Sequence, residues 1–231
     1  METKLNYKRT FLIGLAFLSI CSFWQMYDNI IPLILQNTYH LGETMTGAVM
    51  ALDNVLAIFL LPVFGMLSDK VHTNLGRRMP FIVAGTILAV IFMMLLPMID
   101  NAEKARWSTG ESFSNQVIFL AVLFFTLVSM GLYRSPAVAL MPDVTPNHLR
   151  SRANAVINLM GAVGGVYALI MIKVLVGKGE TPDYLPLFAS IAAVMAIAVG
   201  ILVITIRENK LREEVEKAET ANAGTIEEKA M

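Results

Sequence analysis

Six stretches of this chain are long and apolar enough to cross a bilayer, and three of them carry an ionised residue inside. The stretches run over about 11–35, 44–67, 80–99, 116–141, 153–176 and 184–206. A crossing needs about 20 apolar residues at a rise of about 1.5 Å each, so the pattern predicts an all-α membrane protein with six transmembrane helices. Hydrocarbon offers no water to backbone polar groups, and helices satisfy those groups internally. The intruding charges are Asp28, Asp53 and Arg134. An ionised side chain in hydrocarbon costs roughly 3 to 15 kcal/mol, so such residues usually face a wet path or a partner. They are the first candidates for a solute or ion pathway.

Composition supports lipid as the main solvent. Hydrophobic residues make up 56% and charged residues 16%, where ordinary globular domains carry about 25% charged. The formal net charge is zero, which gives no bulk attraction to nucleic acid, and none is expected as a partner. The single cysteine, Cys21, lies in an apolar run. An internal disulfide is therefore excluded, and no metal-ligand spacing occurs, so neither metal nor cofactor is expected. Without a nucleophile–base pair, a metal cluster or a phosphate loop, enzymatic chemistry is not expected either.

Loop charge predicts the topology. Lys4, Lys8 and Arg9 precede the first span; Lys70, Arg77 and Arg78 join spans two and three; Arg150 and Arg152 join four and five. Arg207, Lys210, Arg212 and Lys217 follow the sixth. The alternate loops are poorer in basic residues, with Lys104 and Arg106 in the third and Lys178 in the fifth. The positive-inside rule then places both termini in the cytoplasm of a multi-pass protein of the cell membrane. The first apolar run exceeds the length of a signal-peptide core, so it is expected to stay as a helix. Residues 1–206 form the expected bundle. Residues 207–231 form a charged cytoplasmic tail, with Glu208–Arg212 and Glu213–Lys217 at the spacing that supports a solvated helix.

The loop between spans two and three reads Gly65-Met-Leu-Ser-Asp69-Lys70, then Gly76-Arg77-Arg78-Met-Pro80. Gly65 permits close backbone approach, Gly76 suits a tight turn, and Pro80 fits a first helical turn. Asp69 can accept from nearby backbone N–H groups or pair with Arg77 or Arg78, making a rigid charged clasp. This loop resembles the signature of the major facilitator superfamily, G-x-x-x-D-[KR]-x-G-[RK]-[RK], with extra residues inserted before Gly76.

A second stretch resembles the sucrose:proton symporters and the related glycoside–cation symporters. It comprises Tyr133-Arg134-Ser-Pro136-Ala-Val-Ala-Leu140-Met-Pro142-Asp143 and then Leu149-Arg150-Ser-Arg152-Ala-Asn154. Ser135 stands where that branch has glycine, and Met79 replaces one arginine of its G-R-R-R-P-F-I phrase. The resemblance implies one half of a major facilitator fold, six helices as two inverted three-helix repeats. It also implies a secondary active transporter that carries a sugar or glycoside with a cation, proton or sodium, by alternating access. Tyr27-Asp28 with Pro32 and Tyr133-Arg134 with Pro136 are faint echoes of that inverted pair.

Within that frame, Asp28 and Asp53 are candidates for cation or proton coupling. Counting residues from the basic face puts them about 25 Å and about 21 Å up, at similar height. The same count puts Arg134 about 10 Å up and about 15 Å short of Asp28, which argues against a direct ion pair. Arg134 can instead meet carbonyls near Asp143, contact sugar hydroxyls, or snorkel to the interface. Trp24, Tyr27 and Asn158 complete the candidate substrate contacts, with helix packing as the plainer role for the aromatics. Gly161-x-x-x-Gly165 is a small-residue face for helix contact.

A complete superfamily member has two six-helix halves. The expected partners are thus a small sugar, a coupling cation, membrane lipid, and a missing second half or a second copy in a homodimer. A fragment of a longer product is the favoured reading. The alternative is a non-transporting membrane scaffold or sensor that signals through its tail.

Overall fold

Apolar runs of this length, with backbone groups that lipid cannot satisfy, have one local solution, and the chain adopts it. A computed structural model describes residues 5–107, 115–177, 179 and 181–230, with no account of the side chains at 218 and 221–230. Lys4 and Lys178 lie outside the described residues.

Helix α1 spans Tyr7–Asn37, and the Asn6 side chain caps it by accepting from the Arg9 backbone N–H at 3.2 Å. The second crossing is divided by a one-residue interruption at Ala51 into α2, Glu43–Met50, and α3, Leu52–Lys70. Then come α4 (Met79–Trp107) and α5 (Gln116–Asp143). A 3-10 turn at Asn147–Leu149 leads into α6 (Arg150–Leu175), followed by α7 (Leu185–Thr205) and α8 (Glu208–Ala230). Six crossings are long and apolar enough to span a membrane, with α2 and α3 counted as one.

Neighbour relations follow a two-fold pattern. Helix α1 packs on α6 and α7, α5 packs on α3 and α4, and α4 meets α7. Exchanging the first three crossings for the last three carries this set of pairs onto itself, as two inverted triplets require. A serine cross-links each triplet to the other. Ser22 on α1 donates to the Gly164 carbonyl on α6 at 2.9 Å, and Ser135 on α5 donates to the Leu61 carbonyl on α3 at 2.7 Å. In lipid, helices associate through close contact and polar bonds rather than through expulsion of water. A Cβ at Gly164 would collide with the Leu18 backbone, so glycine is what lets α1 and α6 touch.

The buried centre is built from α1, α5 and α7. Phe23, Tyr27, Ile30, Ile31, Tyr133, Phe188 and Ile191 are all enclosed. Helix α3 is the contrast: Ser68 is its one buried residue, while Val55, Ile58 and Phe59 lie exposed.

Two ends of the fold differ from the sequence expectation. Helix α4 continues past residue 99 to Trp107 because Lys104 bonds Asp100 one turn earlier at 2.6 Å. Asp100 is fully buried and also accepts from Thr38 Oγ1 at 2.6 Å. Lys104 reaches the Pro182 carbonyl at 2.7 Å and lies over the Tyr184 ring at 4.6 Å. These bonds pin the ends of α1 and α4 to the approach to α7. At the other end, Glu213 and Lys217 stand 4.0 Å apart on α8, but Glu208 does not pair with Arg212 on a solvated face. It is fully buried against the start of α4.

Candidate functional site

Most of the predicted site residues gather in two places, a clasp on the face that carries α8 and a crevice between α1, α3 and α5.

The clasp grows from the turn before α4. Thr73 and Gly76 exchange backbone hydrogen bonds at 3.2 and 3.1 Å, and the Thr73 hydroxyl donates to the Gly76 carbonyl at 2.6 Å. Gly76 sits at φ +126°, a region that side chains rarely tolerate, and a Cβ there would strike the Glu208 carboxylate. That carboxylate accepts from the backbone N–H groups of Arg77 (3.0 Å), Arg78 (3.0 Å) and Met79 (3.1 Å). These are donors that a helix N-terminus leaves without intrahelical partners, and a negative charge also complements the positive end of the α4 dipole. Asn209 donates to the Thr73 carbonyl at 3.0 Å and closes the same turn from outside.

Around this cap the predicted clasp residues assemble. Arg77 and Arg78 both bind Asp143, each at 2.9 Å. Arg78 also contacts Asp69, Ser68 and the Gly65 carbonyl, while Asp69 lies 3.7 Å from Arg77. Asp143 therefore pairs with Arg77 and Arg78, and the carbonyls near it are met by Arg150 rather than Arg134. Arg150 donates to the Pro142 carbonyl at 2.9 Å and to the Thr145 carbonyl at 3.2 Å. Lys70 and Arg152 are exposed at its edge.

In the crevice, Arg134 lies over the face of Trp24, 5.5 Å from the ring centre. Trp24, Asp53 and Arg134 line one enclosed cleft of about 20 Å³. Phe23 stacks on Tyr27 with ring centres 6.1 Å apart, and Trp24 meets both edge to face at 5.3 and 5.4 Å. Asp28 is exposed beside this cluster. Trp24 Nε1 and the Tyr27 hydroxyl are buried without a hydrogen-bond partner among the described residues. Asp53 falls in the first turn of α3, just after the interruption at Ala51, and accepts from Asn54 Nδ2 at 3.0 Å. Asn158 is not part of this group; it is exposed on α6.

Helix α5 extends to Asp143, so Arg134 stands about 13 Å above that face, and its side chain adds about 6 Å. Arg134 makes no ion pair among the described residues, and its guanidinium is held by an aromatic face instead.

Two further residues escape sequence reading. Glu208 is next to a span end, a position read as solvated; its partners lie some 130 positions earlier in the chain. Ser68, inside the motif but not among its named positions, binds Arg78.

The family model described as Major Facilitator Superfamily matches residues 7–229. Among curated proteins, the chain is 26% identical over 137 residues to Sucrose transport protein SUT3 of Oryza sativa subsp. japonica, covering 56% of this chain and 27% of that one. It is 34% identical over 116 residues to Sucrose transport protein SUC4 of Arabidopsis thaliana, covering 47% of this chain and 22% of that one. The matched stretch thus spans 27% or less of the length of these relatives. With six crossings, two inverted triplets and the loop clasp in place, the chain belongs to the major facilitator superfamily.

Proposed function

We propose that this chain carries one wall of a sugar pathway in a cation-coupled symporter. The observation that carries the reading is the crevice: Arg134 on the Trp24 face, Asp53 beside them, and Trp24 Nε1 buried without a partner among the described residues. Sugars present hydroxyls that donate and accept, plus an apolar ring face. An arginine fork, a carboxylate and an indole match those three demands. The names of the plant relatives, sucrose transport proteins, favour a sugar over other polar solutes.

Asp28 and Asp53 are the coupling pair in this reading. Two carboxylates acting on each other inside a bundle repel, and a proton or a sodium ion between them relieves that repulsion. The opposite wall of the pathway comes from a second six-helix half or a second copy, against the exposed sides of α3 and α6. The clasp of Asp69, Arg77, Arg78 and Asp143 holds this wall together as the two walls rock, with both termini on the cytoplasmic side of the cell membrane.

Uptake of labelled sucrose into proteoliposomes under an imposed proton or sodium gradient tests this. Asp28→Asn is expected to abolish the gradient dependence. Arg134→Lys is expected to raise the half-saturating sugar concentration about tenfold, the loss of one charge-assisted hydrogen bond. Gradient-driven uptake that survives Asp28→Asn unchanged would overturn the coupling assignment.

A further inference from the structure

We infer that the junction of α1, α7 and α8 is a binding site for the headgroup and one chain of an anionic phospholipid. This inference is independent of the sugar reading. A groove of about 290 Å³ opens there, and Lys8, Arg9, Arg207 and Lys210 line it. Glu214 is the one carboxylate on its wall and already binds Arg9 at 3.3 Å. Four cations against one anion leave a strong excess of positive charge. Lys8, Arg207 and Lys210 are exposed, with no ion pair among the described residues.

Backbone geometry adds to that field. Helix α1 begins at Tyr7 and α8 begins at Glu208, so two helix N-termini converge on the groove. Their first-turn N–H groups and positive dipole ends favour a phosphate. Glu208 does not cancel this, because it faces the start of α4.

The second observation is what lies next to the groove. Tyr7, Phe11, Leu12 and Leu15 line an apolar furrow of about 410 Å³ that also includes Lys8. Lys8 and Leu12 belong to both cavities, so the charged groove runs directly into the apolar one. Tyr7 and Phe11 are 60% and 50% exposed among the described residues. A free phosphate would use the first cavity alone. A phospholipid uses both, its phosphate among the cations and an acyl chain along Phe11 and Leu15. Basic pockets at the membrane boundary between spanning helices suit such headgroups.

The test is native mass spectrometry of the full chain in detergent, titrated with phosphatidylglycerol, phosphatidylcholine or inorganic phosphate. Phosphatidylglycerol is expected to bind saturably, phosphatidylcholine weakly, and inorganic phosphate is expected not to displace the lipid. The variant Lys8→Gln/Arg207→Gln/Lys210→Gln should lose affinity by about fivefold for each charge removed. Swapping charge for charge, Arg207→Lys/Lys210→Arg, should keep binding and serves as the folding control. Phe11→Ala should weaken the lipid without creating any response to phosphate. Equal binding of both lipids, unchanged affinity in the triple variant, or displacement by inorganic phosphate would each overturn the assignment.

Discussion

Arg78 and Arg134 show how differently one residue type is used in the two polar regions. Arg78 is nearly enclosed and every arm of its fork is engaged: Asp143 at Nε, the Gly65 carbonyl and Ser68 at one terminal nitrogen, Asp69 at the other. Arg134 is half-buried, bears on an aromatic face and has no carboxylate partner among the described residues. In the clasp, the Glu208 carboxylate meets three backbone donors and both arginines meet Asp143, with Arg77 Nε the one buried clasp donor left without a partner among the described residues. In the crevice, Trp24 Nε1 and the Tyr27 hydroxyl are buried and unmatched. Matched charge in a low-dielectric setting holds a structure in one arrangement, and removing one partner is expensive. Buried polar atoms without partners cost stability and leave hydrogen-bonding capacity for a ligand. This contrast supports the proposal above, in which the clasp holds the structure and the crevice receives the ligand.

Thermal unfolding in detergent sharpens that contrast. Glu208→Ala should have the largest effect, about 3 kcal/mol lost, because three buried backbone donors are left without their charged acceptor. Gly76→Ala should follow at about 2 kcal/mol, combining a left-handed backbone with a clash against Glu208. Arg78→Lys should cost about 1.5 kcal/mol, since an ammonium cannot reproduce the fork that joins α3, α4 and α5. Arg134→Lys and Asp28→Asn should change stability by less than about 0.5 kcal/mol. A large loss at Arg134 with none at Glu208 would invert the assignment of the two regions.

Legibility in the sequence followed the range of the interactions. The crossings are written locally, as runs of apolar residues, and so is the clasp motif, whose Gly65, Asp69, Gly76, Arg77 and Arg78 fall within fourteen positions. Its remaining anchors, Asp143 and Glu208, come from distant parts of the chain. Glu208 in particular shows an i,i+4 partner, Arg212, that a local reading prefers and the fold does not use. Asp100 was hidden for a related reason: an apolar run ends just before it, whereas helix α4 continues through it on a Lys104 pair. The crevice was half visible. Asp28, Asp53 and Arg134 stand out as charges in apolar runs, but their juxtaposition depends on where each helix ends. That Arg134 meets Trp24 across α5 and α1 is a tertiary contact that residue counting along single spans does not reveal.

The central claim, that the crevice takes a sugar, is open to one direct measurement. The chain has two tryptophans, Trp24 and Trp107, so a Trp107→Phe variant reports from the crevice alone. Titrated with sucrose in lipid nanodiscs, its fluorescence should change saturably, and adding Arg134→Lys should shift the midpoint to higher sugar. A Trp24 signal indifferent to sucrose, or a midpoint untouched by Arg134→Lys, would contradict the account.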